Sequence, residues 1–204
     1  MEQHKLLKED EKKQLLQIAR QSIACCFEGA EALPERITSC KTWVKQQYAD
    51  VEKPVFNMPL ACFVTLLRKP DGALRGCIGN LEAEEGETLL ENVIRNSMSA
   101  AFYDSRFEPL EPEELNEVKI EISILSKPET LRFETEEELF EQISGKGVIL
   151  QKGFYRATFL PQVWEKVPDP ELFLRHLAAK AGLPASAWQE ASFAVYDVER
   201  FEED

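Results

Sequence analysis

Val118, Ile120, Ile122 and Ile124 alternate with Glu117, Lys119, Glu121 and Ser123. Side chains of a strand point alternately to the two faces of a sheet, so this stretch reads as a strand with one apolar and one polar face. The apolar face has to be covered, which requires partner strands beside it and a second layer over it. Both are legible elsewhere in the chain. Leu60 to Arg68 reads as a buried strand, Lys69-Pro70-Asp71-Gly72 as a turn, and Ala73 to Gly79 as a returning strand, which together make a hairpin. Around Glu9 to Phe27, Leu15, Leu16, Ala19, Ile23, Cys26 and Phe27 recur at helical spacing.

The rest of the order follows from punctuation. Leu33 to Pro59 reads as an irregular connection with some helix near Thr42 to Tyr48. Thr88 with Glu91 fits a capping box opening a helix to Tyr103. Thr135 with Glu138 repeats that pattern and opens a helix to about Ile143. Val148 to Gln151 and Phe154 to Leu160 flank Lys152-Gly153 as a second hairpin. Asp169-Pro170 has the chemistry of an N-cap followed by an N1 proline, and Gly182 and Pro184 end the helix it starts. Phe193 and Val195 mark a last strand. The order is helix, hairpin, helix, strand, twice over, which leaves room for a degenerate structural duplication. Hairpins favour antiparallel pairing, so the fold class is α+β, with mainly antiparallel sheets and flanking helices.

Composition bounds function more by exclusion. A net charge of −13 gives no support to binding of a phosphate backbone, because that affinity rests on Lys and Arg neutralising phosphates. The longest apolar run, Leu60 to Leu67, is strand-length and far short of the ~20 residues that cross a bilayer. Met1 to Lys5 shows no secretory signal. Five cysteines without regular spacing, and only two histidines, point to reduced thiols in a cytosol and give no zinc signature. No metal or cofactor is expected.

The most distinctive local motif is Leu74-Arg75-Gly76-Cys77-Ile78-Gly79. It sets an arginine and a thiol two residues apart on an extended run, with glycines beside each. Glycines cost a strand packing area, so they mark a close approach of backbone or ligand. Alternation puts Arg75, Cys77 and Gly79 on one face and Leu74, Gly76 and Ile78 on the other, with Leu74 and Ile78 entering the core and Arg75 and Cys77 facing outward or into a cleft between lobes at this motif. If the 118–124 strand shares that sheet, Glu121 lines the same surface, and Asp104 and Arg106 close its rim.

Read as a site, Arg75 offers a fork of donors to an anion, Cys77 is the candidate nucleophile, and Gly76 and Gly79 admit ligand to the backbone. Glu121 would orient Arg75 or move a proton. Read as structure, Arg75 and Glu121 are an ion pair between strands, Cys77 is a small packed residue, and Asp104 and Arg106 cap a helix and pin a turn. His176 falls on the flank of its helix and supplies no base. The glutamate runs are solvated loops and helix starts. Phe159 to Trp164 reads as core and turn.

The motif resembles the signature of the AMMECR-domain family, called AmmeMemoRadiSam system protein A in prokaryotes. Phe63 to Leu66, Ala100-Ala101 with Asp104 to Leu110, Glu121 to Leu125, Phe159 to Trp164, Lys180 to Leu183 and Tyr196 to Phe201 resemble further family blocks in order and spacing. The likeness covers nearly the whole chain. Gly145-Lys146-Gly147 departs from it by a shorter turn. The resemblance implies a single domain over 1–204 made of a larger and a smaller lobe. It also implies association with a radical-SAM enzyme and a Memo-like protein, and the suggestion of roles in transcription, translation or RNA modification. It does not imply an established reaction.

Overall fold

A computed structural model describes residues 6–28, 33–48 and 53–204. They form two units: one holds residues up to Leu125 together with Glu199–Asp204, the other Ser126–Val198.

The first unit opens with α1 (Glu9–Cys25), whose Leu15, Leu16, Ile18, Ala19 and Ile23 are buried. Glu9, Asp10 and Glu11 sit in its first turn, where carboxylates favour the exposed N–H groups. Next comes α2 (Leu33–Gln47), so most of the stretch expected to be irregular is helical. Pro34 does not prevent this, because it stands in the first turn, where an N–H has no helical partner to lose. A short 3-10 turn at Pro54–Asn57 leads into β1 (Ala61–Arg68) and β2 (Leu74–Gly79). Gly72 takes a φ of +67° in the turn between them, as a left-handed turn position requires.

Then α3 (Leu89–Phe102) starts at the Thr88–Glu91 capping box. It is followed by β3 (Val118–Leu125), which carries the alternation, and the chain ends with β8 (Val198–Glu202). The sheet order is β2-β1-β3-β8, with β1 antiparallel to both neighbours. Val64, Leu66, Ile120 and Ile122 form its inner face and share one core with α1 and α3.

The second unit holds β4 (Glu129–Thr130), α4 (Glu136–Ile143), β5 (Gly147–Lys152), β6 (Tyr155–Phe159), α5 (Pro170–Lys180) and β7 (Ser192–Tyr196). Thr135 and Asp169 cap the two helices through the main-chain N–H groups of Glu138 and Leu172. The sheet order is β4-β7-β5-β6. Its core gathers Leu139, Val148, Leu150, Phe173, Leu177 and Phe193. Trp164 stacks on Phe173 with centroids 3.9 Å apart, so the Phe159–Trp164 segment is indeed packing and turn. His176 is exposed on α5.

The duplication suggested by element order has a topological counterpart. In the first unit the hairpin β1–β2 is followed by a helix and by β3, which pairs with β1. In the second, β5–β6 is followed by a helix and by β7, which pairs with β5.

The expectation that all thiols are reduced is corrected. Cys25 and Cys40 form a disulfide with Cα atoms 5.8 Å apart. It arises because the end of α1 meets the middle of α2, and a spacing of 15 residues carries no sign of that meeting. Among the described residues no helix is long and apolar enough to cross a membrane.

Candidate functional site

The motif strand β2 lies at the edge of the first sheet and is bulged. Leu66 pairs with Gly76 but Leu67 pairs with Leu74, which leaves Arg75 as the extra residue. The bulge reverses the facing of everything before it. Leu74, expected in the core, is instead 39% exposed, while Ile78 still packs on the core.

Arg75 leaves the face that Cys77 occupies and grips the segment after α3. Its Nε and Nη2 donate to the two carboxylate oxygens of Glu114, each at 2.8 Å, and Nη1 donates to the Glu108 carbonyl at 3.1 Å. The guanidinium lies 5.8 Å from the centroid of the Phe107 ring. The bidentate pair raises the Arg75 pKa and lowers that of Glu114. Arg75 is thus paired with Glu114, not with Glu121.

Asp104 and Arg106 hold the same strand by its main chain. The Cys77 N–H donates to Asp104 Oδ2 at 2.9 Å, and Arg106 Nη2 donates to the Cys77 carbonyl at 3.3 Å. Arg106 also donates to Asp104 from Nε at 2.9 Å and from Nη2 at 2.6 Å. Together the pair takes up the main-chain groups that an edge strand otherwise leaves open, as a further strand would. Hydrogen bonds from Arg106, chiefly, hold the buried Asp104 carboxyl well below the usual carboxylate range.

The motif glycines have definite neighbours. A Cβ on Gly76 would stand 2.2 Å from the Ala100 carbonyl oxygen of α3. One on Gly79 would stand 2.4 Å from the Phe63 ring. Gly76 therefore admits a helix, and Gly79 admits the side chain of its cross-strand partner.

What remains for chemistry is the outer face of the sheet. Thr65 pairs with Cys77 on one side and Glu121 on the other, so thiol, hydroxyl and carboxylate stand in one row. Thr65 Oγ1 is 3.4 Å from Cys77 Sγ. Glu121 is ion-paired with Arg200 of β8, which extends the row with a guanidinium. Flanking rows carry Phe63 and Ser123 on one side, Leu67 and Lys119 on the other, with Lys119 bonded to Glu202 at 3.0 Å. Glu121 and Ser123 are buried and Cys77 is half-buried.

Among the described residues, the first unit has no histidine, and no group of acids, cysteines and histidines is set to hold a metal ion. Cys62 points the other way, into the core, where burial pushes its thiol up to about 12. Sequence reasoning therefore placed Cys77 and Glu121 on a common face. It misplaced Arg75, and it missed Thr65 and Arg200. Thr65 was legible as the polar residue of β1 two before Leu67, but only the register puts it between the other two. Arg200 had no signal.

A second polar cluster was also missed. On α3, buried Asn92 accepts from the Cys62 N–H at 2.9 Å, and buried Asn96 donates to the Cys62 carbonyl at 3.0 Å. They satisfy β1 at the end of its pairing with β2. Glu87 binds Asn92 and Arg95, both at 2.7 Å, and its carboxyl is held below its ordinary value. Beside this cluster a groove of about 470 Å³ runs between α2 and the 84–95 stretch, lined by Lys41, Lys45, Glu84, Glu91 and Arg95 among others.

The AMMECR1 family model matches residues 16–201. Protein MJ0810 of Methanocaldococcus jannaschii is 39% identical over 176 residues, covering 85% of this chain and 83% of that protein. A protein of Methanothermobacter thermautotrophicus is 34% identical over 193 residues, covering 93% and 92%. The crystal structure of the uncharacterized protein PH0010 from Pyrococcus horikoshii superposes with a TM-score of 0.75 at 30% identity, covering 97% of this chain and 94% of that one.

Proposed function

This chain belongs to the AMMECR1 family, and from that premise we propose that it is a cytosolic accessory protein that handles a small polar ligand on the outer face of its first sheet. The observation that carries the reading is the row Cys77–Thr65–Glu121–Arg200. It lines up a soft nucleophile, a hydroxyl and a charge pair on strands whose other face is core, so the row is held rigidly. Arg75, Asp104 and Arg106 support it by fixing β2, and Gly76 and Gly79 by letting it pack. The one carboxylate of the row, Glu121, is ion-paired with Arg200 and stands across Thr65 from Cys77, which favours handling over catalysis by this chain alone.

Acting alone is not what the family resemblance suggests. We place the chain beside a radical-SAM enzyme and a Memo-like protein, which would perform the chemistry. Purification of the chain from its native cell is the test. Both partners should co-purify, and native mass spectrometry should find a bound small molecule that Thr65→Val or Glu121→Gln removes. No partner and no ligand in the wild-type preparation would refute the reading.

The Thr65 hydroxyl at Cys77 Sγ favours one alternative, an enzyme in which Cys77 is the nucleophile on a small anionic substrate. That alternative requires Cys77→Ser to abolish the function of the assembly, and an unchanged Cys77→Ser variant ends it.

A further inference from the structure

We propose that the outer face of the first sheet takes a ligand of the α-amino-acid class, a small zwitterion whose carboxylate lies on Arg200 and whose ammonium lies on Glu121. The inference rests on the reading of that face as a ligand site and names the chemistry the site selects.

Four charged side chains of this face alternate in sign. Glu121 pairs with Arg200, Arg200 Nη2 stands 4.0 Å from Glu202 Oε2, and Glu202 accepts from Lys119 at 3.0 Å. Lys119 and Glu121 are two residues apart on β3 and so share the face, which closes the square. Two carboxylates and two cations sum to zero. An anion drawn to Arg200 meets Glu121 and Glu202 beside it, and a cation drawn to Glu121 meets Arg200 and Lys119. Either gains an attraction and meets like charges at similar range. A zwitterion laid head to tail against the Glu121–Arg200 pair meets an opposite charge at each end. In an α-amino acid the two charges are one carbon apart, which matches two groups already in contact. A longer spacer overshoots the pair.

The pair also has bonding capacity to offer. The two ionic contacts that Arg200 makes among the described residues both come from Nη2, so Nε and Nη1 are left to hold a carboxylate as a fork. The contact to Glu121 is made by Oε2, which leaves Oε1 to accept from an ammonium. The Arg200 side chain is 48% exposed and that of Glu121 11%, so the ligand's carboxylate faces solvent and its ammonium lies at the sheltered end. Beyond Glu121 the row continues with Thr65 and half-buried Cys77. The ligand's own side chain runs along that row, and a short polar one, such as that of serine, can bond the Thr65 hydroxyl.

The test is isothermal titration of the full chain with L-serine and three analogues: N-acetylserine, which keeps only the anion, serinamide, which keeps only the cation, and γ-aminobutyrate, whose charges are too far apart. Alkylation of Cys77 by iodoacetamide reports the place of binding. L-Serine should bind saturably and protect Cys77, and each analogue should bind at least about tenfold more weakly. Arg200→Gln and Glu121→Gln should each weaken serine by at least about tenfold. The analogue series is read on the unaltered chain and decides the matter even where a substitution in β3 or β8 unfolds it. Three outcomes overturn the proposal: no saturable binding of serine at millimolar concentration, an analogue that binds as tightly as serine, or binding that leaves Cys77 unprotected. If serine fails while a co-purifying small molecule is lost in Glu121→Gln, the ligand class is wrong and the site stands; if neither is found, both fall.

Discussion

Replacing Asp104 by Asn tests whether the edge of β2 is held as described. The carboxylate accepts from the Cys77 N–H at 2.9 Å, the Arg106 N–H at 3.1 Å, and Arg106 Nε and Nη2 at 2.9 and 2.6 Å. An amide keeps one oxygen and turns an NH2 group towards donors, so either the Cys77 or the Arg106 side loses its bonds. The Arg106 side chain is 53% exposed, which screens that pair and discounts it. The sheltered bond to Cys77 dominates, and a charge-assisted bond of this kind contributes about 1.5–3 kcal/mol. The expected cost is about 2 kcal/mol, roughly a thirtyfold change in the folded-to-unfolded ratio.

The pH dependence gives a second, independent reading. The pKa of Asp104 is lower in the folded chain than in the unfolded one, where it is about 3.9. A depressed carboxylate stabilises fully above the unfolded value and loses that contribution as pH falls through the folded value. The deficit of Asp104→Asn should therefore be full at neutral pH and shrink as pH drops below about 4. Urea unfolding followed by circular dichroism at several pH values measures it, with peptide-level hydrogen exchange at β2 to localise it. A deficit that does not change with pH, or none at neutral pH, refutes the hold of Asp104 on β2.

Three further outcomes follow from the same geometry. Gly76→Ala drives a Cβ against the Ala100 main chain, which has no flexible end to yield, so a loss of about 3 kcal/mol in urea unfolding is expected, at the upper end for overpacking. Arg75→Lys keeps the charge but not the fork to Glu114, and should cost about 1 kcal/mol and speed hydrogen exchange over 107–114, whereas an unchanged exchange pattern would deny the pair its role. Iodoacetamide at pH near 8 should label half-buried Cys77 in the folded chain and spare Cys62, whose thiol is buried and pushed up to about 12; equal labelling in peptide mapping would contradict the core placement.

The parts of the fold governed by local chemistry were legible in sequence. Thr88 with Glu91 and Asp169 with Pro170 mark helix starts because a cap is a contact within one turn, and the 118–124 alternation marks a buried face because its period is fixed by the pleat. What stayed hidden depends on residues distant in sequence or on a single inserted position. The bulge at Arg75 cannot be seen in alternation, yet it turns Leu74 outward and sends Arg75 to Glu114. The meeting of Cys25 with Cys40, and of Glu121 with Arg200, is decided by how elements pack, which no spacing records.

The motif that first suggested an active site thus divides by role. Of its six residues, Gly76 and Gly79 are needed for packing, Arg75 grips a loop, and only Cys77 presents a reactive group to the outer face, with its main chain held by Asp104 and Arg106. The second unit supplies an internal comparison for what makes that face special. There β6, β5 and β7 repeat the arrangement of β2, β1 and β3, and the corresponding rows read Thr158–Ile149–Ala194 and Arg156–Gln151–Ser192. Neither row has a thiol or a carboxylate. The same topology therefore occurs in this chain with and without a row that holds a thiol and a carboxylate, so the strand arrangement does not explain Cys77, Thr65, Glu121 and Arg200. Their juxtaposition is a property of the first sheet's side chains, and it is on those four that a functional test bears most directly.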